Sequence, residues 1–194
     1  MTGFEPPSVL AYAAAVKRSR DSGIKARLVA AYQPVEDIYD PSLWWLDPDL
    51  LRDLVSALAD LHRDGDPSVV VGIESRGLLL GALVAQHLRV GFVEVRKDEH
   101  PKDLGVPLLR RTTPPDYRDR GLTLTMRRKL LHPRDRVLLV DDWIDTGAQA
   151  TAVTTLVGDA EATWIGCAVV VDALTSGIRQ GLAVRSILRV HELP

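Results

Sequence analysis

One stretch, residues 136–151, limits what this chain can fold into more than any other. Val137, Leu138, Leu139 and Val140 are consecutive apolar residues and predict a short strand buried on both faces. Two carboxylates, Asp141 and Asp142, stand where that strand is expected to end. Trp143 and Ile144 come next, then a turn of mostly small residues from 145 to 150, after which Val153, Leu156 and Val157 take up helical spacing. Strand, acidic edge, turn and helix together form a piece of a parallel α/β sheet, in which ligands bind outside the carboxyl ends of the strands. The N-terminus of a helix offers free N–H groups and positive dipole to a phosphate. Adjacent carboxylates suit something cationic, hydroxylated or metal-bound. They also repel each other, so their charge must be compensated.

The rest of the chain repeats the alternation. Val9, Ala13 and Val16 share one face of a first helix that ends in Lys17, Arg18 and Arg20. Residues 27–32 read as a short strand and 33–46 as irregular, with the pair Trp44-Trp45 as an apolar anchor or a base-stacking surface. Asp47-Pro48-Asp49 predicts a helix start, with an acidic cap and proline in the first turn. Leu50, Leu54, Leu58 and Leu61 carry that helix to about His62. A strand is expected at 69–73, a buried helix at 78–88 and a second strand at 91–96. A polar, proline-rich loop covers 98–121, with an outlying strand at 122–126 and further strands at 163–171 and 184–188. This order indicates a mostly parallel central sheet flanked by helices. The length of 194 residues fits a single domain over 1–194, with hood segments at about 27–46 and 112–126.

Three phosphate-binding designs produce such a turn. The nucleoside-triphosphate loop needs a Lys-Ser/Thr pair after its last glycine, which is missing here. The dinucleotide fingerprint needs three spaced glycines, and only Gly147 is present. The four hydrophobic residues, two acids and Thr146-Gly147 turn resemble the phosphoribosyl-diphosphate (PRPP) signature of the type I phosphoribosyltransferases. The resemblance implies that family's α/β fold with a small hood. It also implies that Asp141 and Asp142 face the ribose hydroxyls and that Asp145, Thr146, Gly147, Ala148, Gln149 and Ala150 hold the 5′-phosphate.

A second constellation narrows this. Glu74-Ser75-Arg76-Gly77 ends one strand, and the next, Phe92-Val93-Glu94-Val95-Arg96-Lys97, ends in two cations. Arginine can clamp a diphosphate with two parallel bonds, and glycine permits close backbone approach. Together they are similar to the adenine phosphoribosyltransferases. The resemblance places Glu74, Ser75, Arg76, Gly77, Arg96 and Lys97 on the PRPP-binding side. It implies transfer of phosphoribosyl to a purine, adenine first, with release of diphosphate, in purine salvage. Mg²⁺ is the implied cofactor, held indirectly through Asp141 and Asp142, since this ion binds mainly through phosphates and keeps its waters. Trp143, Ile144 and Tyr39 are the expected base pocket.

The chain departs from the adenine pattern in places. Asp145 resembles the acid that the 6-oxopurine enzymes aim at the base. The adenine enzymes' cap Glu corresponds to Asp119. Asp145 and Asp119 therefore compete for the catalytic, base-side role, and a 6-oxopurine or other acceptor is a second reading. A third is a PRPP-binding regulatory protein without turnover. The net charge of −2 gives no broad attraction to nucleic acid or to an anionic membrane. No apolar run approaches the ~20 residues of a membrane span. The single cysteine, Cys167, cannot pair within the chain and fits a reducing, cytoplasmic setting. The implied partners are PRPP, a nucleobase and a second copy in a homodimer.

Overall fold

The computed structural model describes residues 22–35, 38–97, 106–113, 121–175 and 177–194. The expected first helix, Asp119 and most of the polar segment 98–121 lie outside them. The chain divides into two compact units, one ending at Leu54 and including His191–Pro194, the other spanning Val55–Val190.

In the first unit, α1 (Ile24–Ala31) replaces the strand expected at 27–32. A short apolar run does not separate strand from helix by itself. Here the alanines favour helix, and Arg27, Leu28 and Ala31 are buried at helical spacing. β1 (Gln33–Val35) and β2 (Ile38–Asp40) form an antiparallel pair. In α2 (Ser42–Leu46) Trp44 is fully buried, and its indole N–H donates to the Leu28 carbonyl at 3.0 Å. Trp45 packs edge-on against it with ring centroids 6.0 Å apart. Both tryptophans thus serve this small unit's own packing. α3 (Pro48–Asp60) starts where its acidic cap predicts: Asp47 Oδ1 accepts the N–H groups of Asp49 and Leu50, each at 2.9 Å.

The second unit holds a seven-stranded sheet in the order β5-β6-β4-β3-β7-β8-β9. Its strands are β3 (Val69–Ile73), β4 (Gly91–Lys97), β5 (Leu108–Thr112), β6 (Thr123–Arg127), β7 (Arg136–Ile144), β8 (Thr163–Asp172) and β9 (Val184–Arg189). β4, β3, β7, β8 and β9 run parallel, while β6 and β5 extend one edge antiparallel. Two expectations change. The polar segment 98–121 contains a strand, β5, which pairs with β6, packs Leu109 against the core and carries exposed Arg110, Arg111 and Thr112. An edge strand facing water needs no buried alternation, so its pattern is silent. β7 continues past Val140 to Ile144, so the two acids lie within the strand and not after it.

Residues of alternate parity serve opposite faces of the sheet. Val71, Ile73, Val95, Leu139 and Val169 share a core with Val153, Leu156 and Val157 of α5 (Ala148–Asp159). Gly72, of opposite parity, lies under α4 (Arg76–Leu88): a Cβ there would stand 2.1 Å from the Gly77 carbonyl oxygen. α4 therefore rests directly on the backbone of β3. Gly81 continues the seam, 3.3 Å from the Gly72 Cα by the same measure.

Candidate active site

β4, β3 and β7 are neighbours, and their carboxyl ends open on the same edge of the sheet, with β7 extending to Ile144, beyond the end of β3 at Ile73. Gly72 is in register with Val140, and Ile73 with Val95. The chain leaves β3 for β4 on one side and β7 for β8 on the other, so the edge between β3 and β7 is a topological switch point, where parallel sheets open a crevice.

Glu74 fixes the loop after β3. Its N–H donates to the Val95 carbonyl at 2.9 Å, and its Oε2 accepts the Lys97 N–H at 3.0 Å. The Glu74–Ser75 peptide is cis. Ser75 is exposed, and Arg76 opens α4. At Gly77 a Cβ would lie 3.0 Å from Asp141 Oδ1 and 3.2 Å from the Val140 carbonyl, so the first turn of α4 is wedged against the end of β7.

That wedge brings the acids to the arginine. Arg76 Nε lies 2.9 Å from Asp142 Oδ2. Asp142 is buried, and this oxygen, shielded from solvent, accepts no hydrogen bond. The contact is thus an ion pair by distance without hydrogen-bond alignment, and the oxygen keeps acceptor capacity. Asp141 Oδ1 accepts the Asp142 N–H at 2.9 Å. Asp141 is partly exposed by surface area, but atoms crowd its carboxyl closely. Loss of hydration first, and the Asp142 charge second, hold its proton affinity well above the ordinary carboxylate range. The Lys97 ammonium opposes this shift only in small part. Among the described residues no cluster of three or more His, Cys, Asp or Glu side chains surrounds a metal position.

The phosphate-type turn lies beyond β7. Asp145 and Thr146 are exposed, Ala148 and Gln149 half-buried, Gly147 and Ala150 buried. Gly147 precedes α5 with φ of 75°, a left-handed conformation that glycine adopts without penalty. Ala148 N–H donates to Thr146 Oγ1 at 3.3 Å, while Thr151 returns both its N–H and its hydroxyl to the Gly147 carbonyl at 2.9 Å. Gln149 and Ala150 N–H groups have no intrahelical carbonyl to bond, and no acidic side chain occupies this first turn.

The structure thus brings Glu74, Arg76, Gly77, Lys97, Asp141 and Asp142 to one edge, with the 145–150 turn following from the same strand. Arg96 is engaged with Glu94 at 2.9 Å. Trp143 is half-buried, but Ile144 belongs to the core, so it does not wall an open pocket. Tyr39 lies on β2 in the other unit. The sequence reading missed Gly72 and Asp172. Gly72 was signalled as a glycine inside an apolar strand, a mark of close backbone approach. Asp172 closes the apolar run of β8 much as Asp141 closes that of β7.

A family profile described as a phosphoribosyl transferase domain matches residues 46–185. An adenine phosphoribosyltransferase of Kineococcus radiotolerans is 34% identical over 175 residues, spanning 87% of this chain and 92% of that protein. One from Prochlorococcus marinus (strain MIT 9303) is 36% identical over 138 residues, spanning 71% and 77%. Among solved structures, adenine phosphoribosyltransferase from Rhodothermus marinus superposes with a TM-score of 0.74 at 30% identity, covering 86% of this chain and 98% of that one. The Giardia lamblia enzyme, complexed with 9-deazaadenine, gives 0.73 at 28% identity with the same coverage. No described helix is long and apolar enough to cross a membrane.

Proposed function

The chain belongs to the phosphoribosyl transferase domain family, and from that premise we propose that it transfers the 5-phosphoribosyl group of PRPP to adenine, releasing diphosphate. One observation carries the reading: buried Asp142 and crowded Asp141 stand at a sheet switch point against Arg76, with Lys97 on the adjoining strand end. Adenine is favoured by the names of the relatives and by the 74–97 region.

In this reading Arg76 and Lys97 take the diphosphate, Asp141 and Asp142 the ribose hydroxyls, and the N–H groups of the turn the 5′-phosphate. The bond from the anomeric carbon to the diphosphate oxygen breaks, and its electron pair leaves with diphosphate. The ribose ring becomes cation-like, as in glycoside cleavage. Fixed carboxylates beside it stabilise that charge without reorganising. The base nitrogen supplies the pair for the new bond and gives up its proton. Asp145, exposed on a turn pinned by Thr151, is the acid we assign to the base side, with Asp119 as its competitor. Mg²⁺ fits the donor set: two adjacent carboxylates, one with a buried oxygen accepting no hydrogen bond, suit an ion that takes few protein ligands. Bound with PRPP, it would neutralise diphosphate charge, with Asp141 and Asp142 holding its waters. The reading includes a cytoplasmic homodimer.

The test is a panel of adenine, hypoxanthine, guanine and xanthine incubated with PRPP and Mg²⁺, with diphosphate release as the readout. Adenine should lead, and Asp145→Asn should lower kcat by roughly 10²–10⁴-fold, more than Asp119→Asn. Preference for hypoxanthine or guanine would move the chain to the 6-oxopurine class. PRPP binding without turnover of any base would make it a regulatory protein.

A further inference from the structure

Beyond the PRPP contacts, the carboxyl end of β8 carries a second buried carboxylate with a different set of partners. Asp172 is 2% exposed, and its two oxygens receive four donors. Oδ1 accepts the Leu174 N–H at 2.8 Å and Arg179 Nη2 at 3.2 Å. Oδ2 accepts Arg179 Nε and Arg189 Nη1, each at 2.6 Å. Arg179 Nη2 also donates to the Leu174 carbonyl at 2.7 Å. Burial alone would raise the Asp172 proton affinity, but the bonds from Arg179 and the Leu174 N–H outweigh it and hold the carboxyl below its usual range. The group is therefore ionised and fully engaged at neutral pH.

What this carboxylate fastens is the segment that backs the phosphate turn. Leu174, Ile178 of α6 (Ile178–Gly181) and Leu182 converge on Gly147: a Cβ at Gly147 would stand 3.3 Å from a terminal methyl of each. Asp172 and Arg179 bind both ends of that segment, Leu174 through its N–H and carbonyl, Ile178 through its neighbour Arg179. The Ala173 N–H donates to the Ile144 carbonyl at 2.8 Å, tying the same segment to β7 just ahead of the turn. Three apolar side chains thus form a wall behind Gly147, and the wall is fastened through buried Asp172, which pairs with Arg179 and Arg189.

We propose that Asp172 and Arg179 are positioning residues for the phosphate turn: they touch no substrate, but they hold the Leu174–Ile178–Leu182 wall that sets where Gly147 and the N–H groups after it point. The inference rests on the assignment of the 145–150 turn to the 5′-phosphate. Loss of the clamp lets the wall retreat and the turn relax, which weakens ligands that carry a 5′-phosphate more than a free base, which meets the turn through Asp145 alone.

The experiment compares Arg179→Gln, Arg179→Lys and Asp172→Asn with Arg185→Gln. Arg185 makes a comparable pair with Asp64, at 2.6 and 3.0 Å, and takes no part in this clamp. Two readouts are taken, hydrogen exchange of the 146–150 amides without ligand and the dissociation constants of adenosine 5′-monophosphate and adenine. Arg179→Gln should speed exchange in the turn and weaken the monophosphate by about tenfold, with adenine weakened clearly less. Arg179→Lys should recover part of both, and Arg185→Gln should alter neither. Arg179 is partly exposed, so its substitution decides the matter even where Asp172→Asn does not fold. Wild-type exchange in the turn of Arg179→Gln overturns the proposal, as does an equal loss for adenine and monophosphate, which would mean general loosening. Should the wild-type protein bind no monophosphate, the phosphate assignment fails, and the exchange data still judge the clamp.

Discussion

Gly72→Ala is the substitution whose outcome the geometry fixes most tightly. The new methyl would stand 2.1 Å from the Gly77 carbonyl oxygen and 2.7 Å from its carbon, both backbone atoms in the first turn of α4. Ordinary contact begins near 3.4 Å, so the turn must lift by roughly 1 Å or β3 must yield. Overpacking of a rigid core costs about 1–3 kcal/mol, and a clash with helix backbone belongs at the upper end. For a chain of this length each kcal/mol moves Tm by about 2–4 °C, so a fall of roughly 6–12 °C is expected. Lifting the turn also draws Arg76 from Asp142 and Gly77 from Asp141. A 1 Å misplacement at a reacting centre can cost about 10²-fold, so the PRPP KM should rise by about that factor. Gly158→Ala is the control. Gly158 sits exposed in α5 with nothing within 4 Å of its added Cβ, and alanine there should stabilise by about 0.5–1 kcal/mol. Thermal denaturation and PRPP titration of both variants test the argument. A Gly72→Ala protein with wild-type Tm and wild-type PRPP KM would refute it.

Two further outcomes follow from the site. Gly147→Val puts a branched side chain at φ of 75° against Leu174, Ile178 and Leu182, so affinity for PRPP and for adenosine monophosphate should fall together, by calorimetry; a loss confined to diphosphate would mean the turn holds the wrong end of the substrate. Asp141→Asn should stabilise the ligand-free protein at pH 7 while abolishing productive PRPP binding. The folded carboxyl holds its proton above the unfolded value of ~3.9, so wild-type stability falls as pH rises through that window and the penalty is full above it. In chelator-containing buffer the Tm advantage of Asn should therefore vanish toward pH 3 and grow as the pH rises, and a Tm lower than wild type at pH 7 would sink the assignment.

Much of the second unit was legible because buried parallel strands announce themselves as apolar runs. β3, β4, β7, β8 and β9 were all placed to within a few residues, and so were the acids, Arg76 and Lys97 at their ends. The failures share a cause. β5 sits at an edge with Arg110, Arg111 and Thr112 exposed and Leu109 packed on the core, too short an apolar signal to mark a strand. α1 is too short for periodicity to separate it from a strand, and its buried face, Arg27, Leu28 and Ala31, takes helical spacing only once it packs, with the Leu28 carbonyl accepting the Trp44 indole sixteen residues away. Residue type identified the charges but not which ones meet. Arg96 and Lys97 look alike as a pair, yet Arg96 is taken by Glu94, while the Lys97 backbone is locked to Glu74 and its charge reaches Asp141.

The sharpest limit is seen in two acids that follow apolar runs, Asp142 on β7 and Asp172 on β8. Neither position by itself says how its carboxylate is engaged. Both are buried and both face arginine. Asp172 has four donors on two oxygens, and its arginines are spent on it and on a neighbouring carbonyl. A carboxylate so satisfied gains nothing from a ligand, and removing a donor costs the full penalty of an unpaired buried charge. Asp142 keeps a buried oxygen with an arginine nearby but no hydrogen bond to it. That arrangement is poor for the empty protein, as is the raised proton affinity of Asp141 beside it. It becomes favourable when hydroxyl donors or a hydrated cation arrive, and Arg76, 42% exposed, can turn to an incoming diphosphate. In the proposed reading the satisfied acid is a fastener and the unsatisfied one part of the PRPP site. The difference lies in the donor count, which depends on loops and helix starts that converge only after the sheet has formed.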